Sequence, residues 1–223
     1  MENNEIVYAC DIGSTNQDNF AWAKKAASDD IPKASADIDL LIDHVARDLN
    51  QGRAVALGFE APMFIPVPDK KSSLSSGREN EGSRSTFAPA GGYVTTLGLH
   101  QVAYILRGIR KACDANVRST FKPEEWLPEG DTRLLLWEAF VSGDAKRSSS
   151  DSNEDEGHMR DAVTALMHFC NHIETPEAMQ EITMKEDRFK QHPLSVLGAA
   201  LLWSEWTEDV GVLHQTCLVA KPD

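Results

Sequence analysis

The sequence predicts an α/β fold, a mixed sheet flanked by helices, on three observations. Three short apolar runs, residues 6–12 (IVYACDI), 54–59 (AVALGF) and 132–141 (TRLLLWEAFV), read as buried strands. The stretches between and after them repeat apolar residues at helical spacing, and a helix between two apolar strands makes a crossover unit. The first run is also followed within a few residues by another short strand-like stretch, which adds a hairpin to the crossovers.

The elements follow in order. Residues 6–12 are β-branched and aromatic, and Gly13-Ser-Thr-Asn closes them as a turn. In residues 19–25 (NFAWAKK), Phe20 and Trp22 point one way and Ala21 and Ala23 the other, as strand pleating requires. Ser35 is the expected N-cap of the first helix, with Asp37 and Asp39 in the first turn, where the helix dipole favours negative charge. Ile38, Leu41, Ile42, Val45 and Leu49 form its apolar stripe, and Gly52 ends it. Residues 63–92 lack sustained periodicity and read as a long loop insertion. Val102, Ile105, Leu106, Ile109 and Cys113 mark the next amphipathic helix. The stretch 144–157 is Ser-rich and then acidic and reads as a second, solvated loop. After it Ala162, Ala165, Leu166, Phe169 and Ile173 define a third helix. Pro193 is expected to open a strongly apolar helix running to Trp206, and residues 213–220 to form a last strand. Without repeats or a composition break, residues 1–223 read as one domain.

With 223 residues and 41% hydrophobic content the chain can bury a full core. No apolar run approaches the roughly 20 residues that cross a bilayer, and the acidic start is unlike a signal peptide. A cytoplasmic location and no membrane contact are therefore expected. The four cysteines, Cys10, Cys113, Cys170 and Cys217, form no C-x-x-C pair and read as buried reduced thiols. A formal net charge of −13 works against gripping a long polyanion by general attraction, although a local groove or bound cation reverses the sign where it matters.

Four carboxylates stand out. Asp11 lies near the end of the first strand, Glu60 ends another, Asp161 falls in the first turn of the helix after the acidic loop, and Glu138 sits inside the most apolar strand. A carboxylate buried alone is costly, so Glu138 needs a partner, a metal or a raised pKa. Carboxylates converging from several elements suit hard divalent cations, and such sites support phosphodiester cleavage. Each also has a plainer reading. Asp11 closes a turn, Glu60 caps a loop before Pro62, Asp161 is a favourable first-turn charge, and Glu138 faces solvent at a sheet edge. His168 and His172, four apart, lack a third ligand and read as surface histidines. Ala88-Pro-Ala-Gly-Gly-Tyr93 reads as a turn, and Arg78 and Arg84 as solvated loop charges rather than phosphate contacts.

The order of motifs resembles the ribonuclease H-like superfamily. It runs Asp11-x-Gly13, hairpin, helix, strand ending Glu60-Ala-Pro, strand with Trp137-Glu-Ala-Phe, then helix with His158-x-x-Asp161-Ala. Within that superfamily it looks closest to a branch of predicted nucleases, the DUF429-like proteins, over the chain up to about Ile173. The resemblance implies a ribonuclease H-like mixed sheet with Asp11, Glu60 and Asp161 as ligands of Mg2+ or Mn2+. It also implies Glu138 as a further acidic site residue, with Trp137 in place of the family's proline. His158, three residues before Asp161 and so on the same helix face, is implied to orient a carboxylate or assist proton transfer. Glutamate stands at position 60 where the family more often has aspartate. The implied activity is a divalent-metal-dependent nuclease or phosphodiesterase acting on nucleic acid or another phosphate-containing substrate. Two other readings remain open. Asp11-Ile-Gly-Ser-Thr-Asn16 also resembles the first phosphate loop of sugar kinases and actin-like ATPases, and the acidic surface suits a non-catalytic interaction module, with a homodimer among its expected forms.

Overall fold

The computed structural model describes residues 4–17, 19–81, 87–126, 130–141, 154–173 and 191–221. Its centre is a seven-stranded mixed sheet. In chain order the strands are β1 (Glu5–Asp11), β2 (Ala21–Ala26), β3 (Lys33–Ser35), β4 (Ala54–Glu60), β5 (Phe64–Pro68), β6 (Arg118–Thr120), β7 (Thr132–Ala139), β8 (Gln191–Ser195) and β9 (Val219–Ala220). The helices are α1 (Ile38–Asn50), α2 (Pro89–Ala112), α3 (Glu154–His172) and α4 (Val196–Trp203). The large sheet runs β3-β2-β1-β4-β7-β6, while β5 and β8 pair separately. β2 is antiparallel to β1 and β3, whereas β4 is parallel to both β1 and β7. β6 and β9 share one edge of β7, β6 against its first half and β9 against Glu138 and Ala139. The expected α/β class, a mixed sheet flanked by helices, is the fold observed.

Strand alternation sorts the central residues onto two faces. Ile6, Tyr8 and Cys10 of β1, Val55, Leu57 and Phe59 of β4, and Leu134 and Leu136 of β7 pack under α1, α2 and α4. Val7, Ala9, Ala56, Leu135, Trp137 and Ala139 pack under α3, against Ala162, Ala165, Leu166 and Phe169. Both faces are covered, which is why β4 and β7 read as unbroken apolar runs. On the α3 face the large side chain is Trp137, fully buried and stacked on Phe169 with ring centroids 4.2 Å apart. The neighbouring strand makes room for it with Gly58, where a Cβ would sit only 2.2 Å from the indole.

Several local expectations change. Asp37, not Ser35, caps α1: its carboxylate accepts the N–H groups of Asp39 and Leu40, and the Ser35 hydroxyl accepts the Asp37 N–H. Residues 63–92 are not one loop. β5 lies at their start and α2 begins at Pro89, so Ala88 to Tyr93 forms a helix start with Pro at its first position rather than a turn. α3 begins at Glu154, inside the stretch expected to be loop, which places Asp161 about two turns in rather than in the first turn. Pro193 lies in β8, where it pairs with Pro66 on a two-stranded ribbon that tolerates missing N–H donors; Ser195 caps α4 instead, accepting the Gly198 N–H at 2.9 Å. The last strand is only Val219–Ala220. Arg84 and residues 144–153 lie outside the described residues. Among the described residues no helix is long and apolar enough to cross a membrane.

All four cysteines are free; Cys10 and Cys217 are buried, Cys113 and Cys170 half-buried. Burial pushes the Cys10 and Cys217 thiols well above the ordinary 9.0. Burial also raises the Tyr8 phenol above its ordinary 10.0, and Asp48, 2.5 Å from its hydroxyl, raises it further. Raised folded-state pKa values mean that stability is intact below the unfolded-state values and is lost as pH rises past them. We therefore expect the urea midpoint to hold up to about pH 8, one unit below the ordinary thiol value, and to fall above it. The loss by about pH 10 is about 3 kcal/mol from these two thiols, and Cys170, which burial raises to about 11, adds about 1 kcal/mol more. Replacing Cys10 and Cys217 with alanine should remove most of the pH dependence, and a wild-type midpoint level across that window would rule the account out.

Candidate functional site

The candidate site forms at the carboxyl ends of β1 and β4. Register pairs Asp11 with Glu60 directly across the parallel ladder, so both carboxylates leave the sheet on the same side. That side is the one α3 covers, because Asp11 shares parity with Val7 and Ala9, and Glu60 with Ala56. α3 adds the third carboxylate. Its apolar stripe, from Ala162 to Phe169, docks on the sheet, and Asp161 at the margin of that stripe reaches the strand ends. Asp11, Glu60 and Asp161 each bring a carboxylate oxygen within 4.8 Å of the other two. Asp11 is buried; Glu60 and Asp161 are half-buried.

His158 lies one turn before Asp161 on the same face of α3. Its Nδ1 is 2.5 Å from Asp11 Oδ2, a charge-assisted contact that fixes both the ring and the carboxylate. The side chain of His158 is 30% exposed and that of Asp11 only 7%, so the imidazole forms the solvent-side wall. Three carboxylates this close repel one another and favour a shared cation. Oxygen-only donors converging from three elements fit a hard divalent ion such as magnesium or manganese, which takes carboxylates together with water and substrate oxygens.

Glu138 does not join them. One step of pleat places it opposite Phe59, on the face covered by α1, α2 and α4, away from Asp11 and Glu60. Its carboxylate accepts the Met63 N–H at 2.9 Å and two bonds from Arg78, at 2.6 Å from Nη1 and 2.8 Å from Nη2. Arg78 is itself fully buried and also holds Glu81, through Nε at 3.2 Å and Nη2 at 3.0 Å. Burial works against the charged guanidinium, and the two carboxylates outweigh it, raising its pKa. Arg78 is thus not a solvated loop charge. It is the counter-ion that lets Glu138 sit inside an apolar strand. The demand for a partner was visible in the sequence; the identity of the partner was not, because it lies 60 residues away.

His168 and His172 pack with ring centroids 4.5 Å apart, tilted by 37°, and are half-buried rather than surface histidines. Among the described residues they belong to no group of three metal donors. Sequence reasoning also missed Gln101, which donates its amide N–H to the Gly13 carbonyl and so ties the turn after β1 to α2.

Comparison of the chain with protein-family models, with curated proteins and with solved structures finds no match.

Proposed function

We propose that Asp11, Glu60 and Asp161 bind Mg2+ or Mn2+ and that the protein is a metal-dependent phosphodiesterase or nuclease of the ribonuclease H-like kind. The observation that carries the reading is the convergence of three carboxylates, from β1, β4 and α3, on one point at the strand ends. In α/β sheets that edge is where ligands generally bind. A bound divalent ion supplies Lewis-acid stabilisation of a phosphate and activation of water. The chain's own residues supply the rest. Asp11 and Glu60 hold their positions through the β1–β4 register, and Asp161 through the docking of α3. His158 orients Asp11 through Nδ1.

The test is thermal. At a hundredfold excess of Mn2+ over its dissociation constant, the wild-type melting temperature should rise by roughly 5–10 °C. Asp11→Asn should lose that rise while melting in EDTA no lower than the wild type, since it removes carboxylate repulsion. Hydrolysis of a chromogenic phosphodiester should fall with it by about 100-fold or more. The reading is abandoned if Mn2+ leaves the wild type unmoved, or shifts Asp11→Asn by as much.

A further inference from the structure

We propose that a cleft just beyond the carboxyl end of β1 takes the heterocyclic base of a small nucleotide, which makes the substrate a nucleotide-sized phosphate ester. This deepens the reading above and rests on it for the phosphate end alone. The cleft has a volume of about 380 Å3, in the size range of small-molecule sites. Ser14, Thr15 and Asn16 form one wall, in the turn that follows β1, and Tyr93, Gln101 and Tyr104 of α2 form the other. Ser14 follows Asp11 by three residues, so their Cα atoms are at most about 11 Å apart. The cleft lies on the α2 side of the sheet end and the triad on the α3 side, so a base in the cleft leaves the phosphate about one nucleotide's length from the triad, round the end of β1.

The chemistry of the walls favours a base. Tyr93 is 65% and Tyr104 52% exposed, so two aromatic rings stand at the surface as stacking platforms. The hydroxyls and amide of Ser14, Thr15 and Asn16 offer hydrogen bonds to ring nitrogens and to a sugar. Gln101 is 7% exposed, with Nε2 committed to the Gly13 carbonyl. Its Oε1 is buried and has no donor among the described residues. Buried acceptors are seldom left so, and the exocyclic amino group of a base is a fitting donor. The charge pattern selects against a long polyanion. The net charge is −13, and among the described residues neither lysine nor arginine lines the cleft.

Adenosine in EDTA probes the cleft without the metal. Titration calorimetry should show binding to the wild type, weakened about tenfold or more in Tyr104→Ala and in Tyr93→Ala, and retained in Tyr104→Phe. Both tyrosines are exposed, so the urea midpoints of these variants should match the wild type. With Mn2+ present, AMP should bind more tightly than adenosine, and ribose 5-phosphate more weakly than AMP. Failure of adenosine to bind the wild type, or equal binding by the alanine variants, overturns the cleft. Tighter binding of a short single-stranded oligoadenylate than of AMP overturns the small-nucleotide class. Loss of the Mn2+ melting shift in the wild type sinks the metal reading separately, because the adenosine titration is run without metal.

Discussion

Arg78→Met should lower the stability of this protein by about 3–5 kcal/mol, the usual cost of removing one partner of a buried ion pair. The guanidinium is fully buried between Glu138 and Glu81, and its plane lies over Phe64 with Cζ 4.6 Å from the ring centroid. Without it, Glu138 keeps a single hydrogen bond of those described, from the Met63 N–H, and must bury its charge or take up a proton. The double variant Arg78→Met/Glu138→Met should recover much of the loss, since hydrophobic residues of similar size often replace a buried pair at little cost. Urea unfolding of the wild type, both single variants and the double variant gives the cycle. A loss below about 1 kcal/mol in Arg78→Met would show that the pair does not hold this part of the fold. Because Glu138 faces away from the triad, Arg78→Met should keep the Mn2+ melting shift. Loss of that shift alone, with the fold intact, would place Glu138 back in the site.

Trp137→Ala should cost a similar amount, about 3–5 kcal/mol, by opening a cavity where the indole is now fully buried against Phe169 and Gly58. The effect should extend to the triad. Trp137 stacks β7 against α3, and α3 carries His158 and Asp161. A looser helix weakens the convergence of donors, so the Mn2+ shift should shrink along with the baseline melting temperature. Trp137→Phe keeps an aromatic stack and removes an indole N–H that finds no acceptor among the described residues, so it should cost far less. A Trp137→Ala variant with the full Mn2+ shift would mean that α3 is held by its other contacts.

Periodicity made most of the large sheet and three of the helices legible in the sequence, because those segments bury one stripe or two whole faces. β3 and β6 escaped it, being three residues each and too short to show a pattern. β8 escaped because Pro193 suggested a helix start, whereas on a two-stranded ribbon it is accommodated. At the candidate site, Asp11 and Glu60 were legible as acids at strand ends, whereas Asp161 lies about two turns into α3 rather than in its first turn, and His158 was suggested by the order of motifs alone. Glu138 carried the same chemical signal of an acid in an apolar strand. Only its parity, read against a partner strand whose register the sequence does not state, sends it to the other face. Arg78 and Gln101 owe their roles to tertiary contacts, 60 and 88 residues away, that leave no local trace.

The contact between His158 and Asp11 joins residues 147 apart in the chain. During synthesis Asp11 leaves the ribosome's catalytic centre roughly 7–30 s before His158 does, at ordinary elongation rates. Once Glu60 has followed, for about the last two thirds of that interval, β1 and β4 can pair, and the acids at their ends stand side by side with no helix to cover them. Closure of α3 is what completes the site, and it comes late in both sequence and time. Such long-range closure also slows refolding of the whole chain, as contacts distant in sequence generally do. The acidic pocket is therefore a product of the finished fold, and no fragment ending before α3 contains it.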